Sequence, residues 1–150
     1  MDTLSHGEKI TVAKNIRNML NNMNAKSYDE CVSIGHDLFQ EQYTNQIMQL
    51  LHNYPDDQKT TEGAPFWSGS KKCPKPVKFN AKDKLHTEFV FTFAELWAKT
   101  CNIKSLGREH AEKKMRKLKL LKFTPKDNVT IATTEKEAAE MNDLVCKEAL

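Results

Sequence analysis

Residues 53–82 take all but one of the chain's five prolines and two of its five glycines. Proline removes a backbone donor and breaks a helix interior, so no regular element can run through this central stretch. A stretch of that length with no secondary structure of its own is either functional or pinned by its own buried side chains. The expectation is an irregular loop over about 53–82, with local turns, separating helical material on both sides.

The flanks read as helices. Ile10, Ala13, Ile16, Met19, Leu20 and Met23 stripe one face of a helix over residues 8–23. After the break "NNMNAK", Ser27 and Glu30 stand in capping-box register, and Cys31, Ile34, Leu38 and Phe39 continue an apolar face to about Tyr43. A third, short helix is predicted over "NQIMQLLHN", ending before Pro55 because proline disfavours helical geometry at the residue ahead of it. Asp83 is predicted to cap the most apolar helix, with Leu85, Phe89, Val90, Phe93, Leu96, Trp97 and Cys101 facing the core. "REHAEKKMRKLKLLK" reads as an amphipathic basic helix with Ala111, Met115, Leu118 and Leu121 inward. "NVTIAT" is one short strand-like stretch, and a last helix follows, capped at Thr134 with Glu137 in box register. The fold class is therefore mainly α: one compact multi-helix domain over 1–150, with at most short strands.

Composition narrows the classes. At 39% hydrophobic and 29% charged residues the chain suits a soluble globular domain. No apolar run approaches the roughly 20 residues of a membrane span, so no membrane role is expected. "MDTLSHGEKI" has no apolar core of a secretory signal, so free thiols in a reducing compartment are expected. The net charge of +3 is mild and admits either nucleic acid or an acidic protein as partner.

Cys73 is the natural first suspect for chemistry, since Lys71, Lys72 and Lys75 favour a thiolate. Pro74 argues against it. Its missing amide hydrogen cannot line an oxyanion hole, and it keeps Cys73 out of the helix-start geometry that lowers a thiol pKa. The better reading is a thiol in a turn-rich segment, with Phe66 and Trp67 buried as anchors. Full burial would make truncation of Trp67 cost about 3–5 kcal/mol. Cys31 and Cys101 fall on inward helix faces, where cysteine behaves as a small hydrophobe, and Cys146 has nothing arranged around it. His6, His36, His52, His86 and His110 form no ligand motif, so surface or capping roles are expected. Asp56 and Asp57 are adjacent, which aims their side chains apart, and helix termination is their expected role. The glycines fit no phosphate-cradling loop.

The basic run 113–122, "KKMRKLKLLK", raises the possibility of a stand-alone interaction module for nucleic acid or an acidic protein. Apolar residues interrupt its charge at helical spacing and stacking aromatics are missing, so a solvated face is favoured over nucleic acid.

Three motifs go further than physics. "QLLHNYPDDQKTTEGAPFWSGSKKCPKP", "KFNAKDKLHTEFVFTFAELWAKTCNI" and "KFTPKDNVTI" arrive in order. Together they resemble the ubiquitin-activating enzyme, specifically the helical second half of its catalytic-cysteine (thioester) domain. The resemblance is strongest from about Ser27 to Ile131. It implies a parent ligase that adenylates ubiquitin with ATP and magnesium, captures it as a cysteine thioester and hands it to a ubiquitin-conjugating enzyme. It also implies adenylation domains in the same chain and a cytoplasmic and nuclear location. The family's nucleophile is a cysteine followed by threonine. Here Val32, Pro74, Asn102 and Lys147 follow the four cysteines, so none matches. The resemblance thus implies a scaffold for the thioester site that starts downstream of the nucleophile and is inactive alone. It carries over no catalytic, cofactor-binding or metal residue. "NVTIATTEKE" falls where the family has a flexible segment shielding its catalytic cysteine, and that region is short here.

Overall fold

The computed structural model describes residues 12, 16, 17, 19, 24–129, 131 and 136. Contacts divide the chain into two compact units, residues 1–24 with 130–150, and residues 25–129. Of the first unit, Ile16 and Met19 are exposed, while the rest of the expected stripe over 8–23 lies outside the described residues. So do Thr134 and Glu137 of the expected last helix, together with His6 and Cys146.

The unit 25–129 starts with helix α1, Tyr28–Gln40. Ser27 caps it from extended backbone, its hydroxyl accepting the Glu30 amide at 3.3 Å. The return half of the box reaches one residue further back than expected: the Glu30 carboxylate accepts from the Lys26 amide at 2.8 Å. Tyr28, Cys31, Val32, Gly35, His36 and Phe39 form the buried stripe.

The expected gap near Tyr43 is absent. A widened π turn, Glu41–Asn45, leads straight into α2, Gln46–Asn53. No proline or glycine lies between Gly35 and Pro55, so nothing stops the helix; the extra residue is absorbed in the wide turn instead. The Val77 amide donates to the Tyr43 carbonyl at 2.8 Å, and the Thr44 hydroxyl donates to the Val77 carbonyl at 2.5 Å. The π turn thus holds the far end of the irregular loop.

That loop is pinned along its length, as expected. Around Gly63 (φ 83°), Thr60 and Phe66 amides donate to the Ala64 and Gln58 carbonyls at 2.8 Å each, closing a small hairpin turn. Phe66 stacks on Tyr54 with ring centroids 4.9 Å apart, and Trp67 stands edge-on to Phe66. The Trp67 indole donates to the Tyr54 and Pro55 carbonyls at 3.1 and 2.9 Å. Both anchor rings are half-buried, not fully buried.

Helix α3, Lys84–Thr100, is capped by Asp83, which accepts the Leu85 amide at 2.8 Å. Its core face is only partly the expected one: Val90 is in the core and Phe89 and Trp97 pack against it, but Leu85 and Leu96 do not face inward. Thr87, Val90, Ala94 and Ala98 are buried, Phe89, Phe93 and Trp97 flank them half-buried, and Leu85 and Leu96 are 80% and 63% exposed. Leu85 and Ala94 lie nine positions apart, about 180° around a helix, so only one of them can face inward. Small residues win because α1 comes so close: a methyl added at Gly35 would stand 3.1 Å from the Val90 carbonyl oxygen. Asn102 (φ 55°) ends the helix, with the Ile103 amide reaching the Ala98 carbonyl at 2.7 Å.

Helix α4, Gly107–Met115, buries Ala111 and Met115 as expected. It stops seven residues short of its predicted end at 122. Beyond Met115 the chain leaves the helix, and Leu121, expected inward, is 70% exposed. Side-chain amides of the first two helices take up its backbone. Gln40 donates to the Leu121 carbonyl and accepts from its amide; Gln49 does the same for Lys126, both at 2.9 Å; Asn53 donates to the Val129 carbonyl. These tertiary bonds replace helical ones that a run of like charges supports poorly. Asn128 and Val129, the start of the expected strand, are in a turn and irregular chain, and Ile131 is irregular too. Among the described residues the one β-type pairing is an isolated bridge between Lys59 and Pro65, so the domain is mainly α with no sheet.

Candidate functional site

Within the unit 25–129, polar groups tie the helices together where α1 begins. Tyr28 donates to the Glu95 carboxylate on α3. Ser105, in the connection to α4, donates to the same carboxylate oxygen at 2.6 Å and accepts the Gly107 amide at 3.0 Å. Burial, and then the anionic Glu95 beside it, push the Tyr28 phenol up to about 12. One residue on, Asp29 meets His110 at 2.6 Å and Lys114 at 3.5 Å. The His110 hydrogen bond holds the Asp29 carboxyl below its ordinary value. Arg108 closes the outer side with a two-pronged pair to Glu88, at 2.8 and 3.1 Å, and lies over the Phe91 ring at 4.2 Å. The shared job of these groups is to fix α4 against α1 and α3.

The three described cysteines are not set up for attack. Cys31 is fully buried in the core, and burial pushes its thiol up, which suppresses the nucleophilic thiolate. Cys73 is half-buried, its thiol 3.8 Å from the carbonyl of Pro74. Cys101 is half-buried at the end of α3. Among the described residues no cysteine bonds to a histidine or carboxylate that could serve as a base. Lys71 lies over the Phe66 ring at 4.8 Å, so one of the lysines expected to favour a Cys73 thiolate is engaged with the aromatic anchor.

The histidines split. His52 pairs with Asp127 at 2.8 Å and is exposed, and His86 accepts the Asn80 amide at 3.0 Å beside the α3 cap. Both fit the surface or capping roles expected of them. His36 does not: it is 1% exposed, edge-on to Phe79 with centroids 4.8 Å apart. It lies on the same helical stripe as Val32 and Phe39, and the stripe's position, set by the neighbouring helix, takes it inside. Asp56 and Asp57 are exposed just after α2, in keeping with helix termination. Among the described residues no cluster of three or more histidine, cysteine or carboxylate side chains could hold a metal. No described helix is long and apolar enough to cross a membrane.

Sequence reasoning missed the amide clamps of Gln40, Gln49 and Asn53, and the Tyr28–Glu95–Ser105 connection. No periodicity marks them, because most join residues dozens of positions apart through only one or two polar contacts.

Comparison with known proteins points to one family. Residues 1–149 match the family model described as ubiquitin-activating enzyme, SCCH domain. Ubiquitin-like modifier-activating enzyme 1 of Oryctolagus cuniculus is 38% identical over 118 residues, covering 78% of this chain and 11% of the relative. The enzyme of the same name from Dictyostelium discoideum is 40% identical over 113 residues, 75% of this chain and 11% of the relative. Ubiquitin-activating enzyme E1 1 of Candida albicans (strain WO-1) is 36% identical over 129 residues, 85% of this chain and 12% of the relative. The chain therefore spans about a tenth of the length of these relatives. A match over nearly every residue leaves one conclusion: the chain belongs to the ubiquitin-activating enzyme SCCH domain family.

Proposed function

We propose that this chain is the scaffold half of a thioester site in an ATP-dependent ubiquitin-activating ligase. In such an enzyme ATP adenylates the C-terminal carboxylate of ubiquitin. A cysteine attacks the adenylate, and the thioester passes to a conjugating enzyme. The attacking cysteine, the ATP and the magnesium belong to other parts of that enzyme, adenylation domains included, working in the cytoplasm and nucleus. This chain supplies position and surface, which is what acyl exchange between large proteins requires of a platform.

The observation that carries the reading is the placement of the three described thiols on a body of this family: Cys31 in the core, Cys73 and Cys101 half-buried, none of them bonded to a base among the described residues. A closely packed body suits the role, and here α1 and α3 approach so near at Gly35 that an added methyl would stand 3.1 Å from the Val90 carbonyl oxygen. Incubated with ubiquitin, ATP and magnesium, the isolated chain gives no reductant-sensitive ubiquitin adduct. Exchanged for the corresponding domain of an intact activating enzyme, it sustains adduct formation. A stoichiometric adduct on the isolated chain, lost on Cys73→Ala, would overturn the scaffold reading and make Cys73 a nucleophile.

A further inference from the structure

An apolar groove of about 270 Å³ opens beside the π turn, lined by Phe39, Tyr43, Val77, Leu85, His86 and Phe89. Its floor is preformed. Phe39, Tyr43 and Phe89 meet in pairs at centroid distances of 4.9, 5.6 and 5.5 Å. Its lips are apolar and exposed: Leu85 by 80%, Tyr43 by 39% and Val77 by 37%. The helix that carries Leu85 turns its small residues to the core and leaves this leucine largely exposed at the groove.

Lysines flank the lining residues along the chain. Residues 71–84 hold six lysines against one aspartate. Lys78 adjoins Val77 and Lys84 adjoins Leu85 in sequence, with Lys75 and Lys82 close by, and all four are exposed. None of them pairs with a carboxylate among the described residues, and the nearby acids are committed elsewhere. Asp83 caps α3, Glu88 is held by Arg108, and Glu41 accepts from Asn45. A volume of 270 Å³ is below the roughly 300–1,000 Å³ of ligand-sized pockets, and suits one or two anchoring side chains better than a free small molecule.

We infer that this groove docks an acidic segment of a partner protein, which seats apolar anchors against Phe39, Tyr43, Leu85 and Phe89 while its carboxylates meet the flanking lysines. The lysines steer and orient the segment; the buried anchor supplies most of the holding energy. This surface is separate from the basic run 113–122, and the inference stands whether or not the scaffold reading holds.

The test uses the whole chain and a panel of fluorescein-labelled acidic peptides of about twelve residues, each with two apolar residues at i,i+3 or i,i+4 spacing. Controls are the same peptides with the apolar pair replaced by serine, and a single-stranded oligonucleotide. At least one anchored peptide is expected to bind about tenfold or more tightly than its serine version. Leu85→Ser is expected to remove that advantage, and Lys78→Glu with Lys84→Glu to weaken binding and flatten its salt dependence. Lys113→Glu with Lys117→Glu leaves it unchanged. Amide shifts on binding concentrate at Val77, Leu85 and Phe89, a readout that general loss of structure would not give. Far-UV circular dichroism checks that Leu85→Ser, a change at an exposed position, stays folded. Equal affinity for anchored and serine peptides, tighter binding of the oligonucleotide, or no binding across the panel would each overturn the proposal.

Discussion

Gly35→Ala offers the sharpest test of how the helices meet, because two effects oppose each other and the structure decides between them. In an isolated helix the change stabilises by about 0.5–1 kcal/mol, since alanine loses less backbone freedom than glycine. Here the new methyl would stand 3.0 Å from Cδ1 of Phe93 and 3.1 Å from the Val90 carbonyl oxygen. Phe93 could turn, at the expense of its stack on Trp97, where the ring centroids are 5.6 Å apart. The Val90 carbonyl is helix backbone and cannot yield unless α1 and α3 separate by a few tenths of an ångström. That separation loosens Cys31, Val32, Ala94 and Ala98 together, all of them in the buried core. Overpacking of this kind costs about 1–3 kcal/mol, so the net effect is a loss centred on about 1 kcal/mol and reaching about 2.5 kcal/mol at most. Urea unfolding followed by tryptophan fluorescence reads it directly, because Trp67 and Trp97 both lie in the unit 25–129. With a slope of about 1–3 kcal/mol per molar, the midpoint drops by roughly 0.5–1 M at unchanged slope. An unchanged or raised midpoint would mean that propensity wins and that the two helices do not pack through glycine.

Trp67→Ala is expected to destabilise by about 1–3 kcal/mol, less than full burial would give, because the ring is half-buried and its two carbonyl partners can turn to water; faster proteolysis within 53–82 together with a lower urea midpoint would show it. Above pH 10 stability should fall. The Tyr28 phenol is raised from 10.0 to about 12 in the fold, so the folded chain holds that proton more tightly than the unfolded one. Its contribution is fully present below 10 and is lost as pH rises towards 12; Tyr28→Phe should flatten that part of the profile, and an identical profile would refute it. Gln40→Ala with Gln49→Ala should free the segment after Met115, so that trypsin cuts at Lys119, Lys122 and Lys126 about tenfold faster or more, given about 1 kcal/mol for each clamp bond. Unchanged cleavage would show that other contacts hold the segment.

Much of the architecture was legible before any coordinates. Ser27 and Asp83 announce helix starts by a local mechanism, a side-chain oxygen taking orphan amides, and both do so in the fold. Pro55 ends α2 by sterics that need no distant partner. The proline-rich stretch 53–82 stays irregular for the same kind of reason, and its aromatics pin it locally. Family membership was readable too, from the order of three motifs.

The failures share a different cause. Hydropathy weights large residues, and so pointed Leu85 and Leu96 inward; the helix instead turned Ala94 and Ala98 to the core because close approach of α1 rewards small side chains. Charge and periodicity carried α4 to residue 122, but Gln40 and Gln49, contributed by helices far earlier in the chain, give the backbone after Met115 a better set of partners. The π turn that erases the expected gap at Tyr43 is held by Val77, more than thirty positions away. By itself, then, the sequence determined where helices begin, where the chain must stay irregular and which family it joins, since caps, prolines and motif order act through neighbouring residues. Only the tertiary structure decided which face each helix buries, where α4 stops and that an apolar groove opens beside the π turn. Those features depend on which elements come within contact distance, a property of the assembled fold and not of any local stretch.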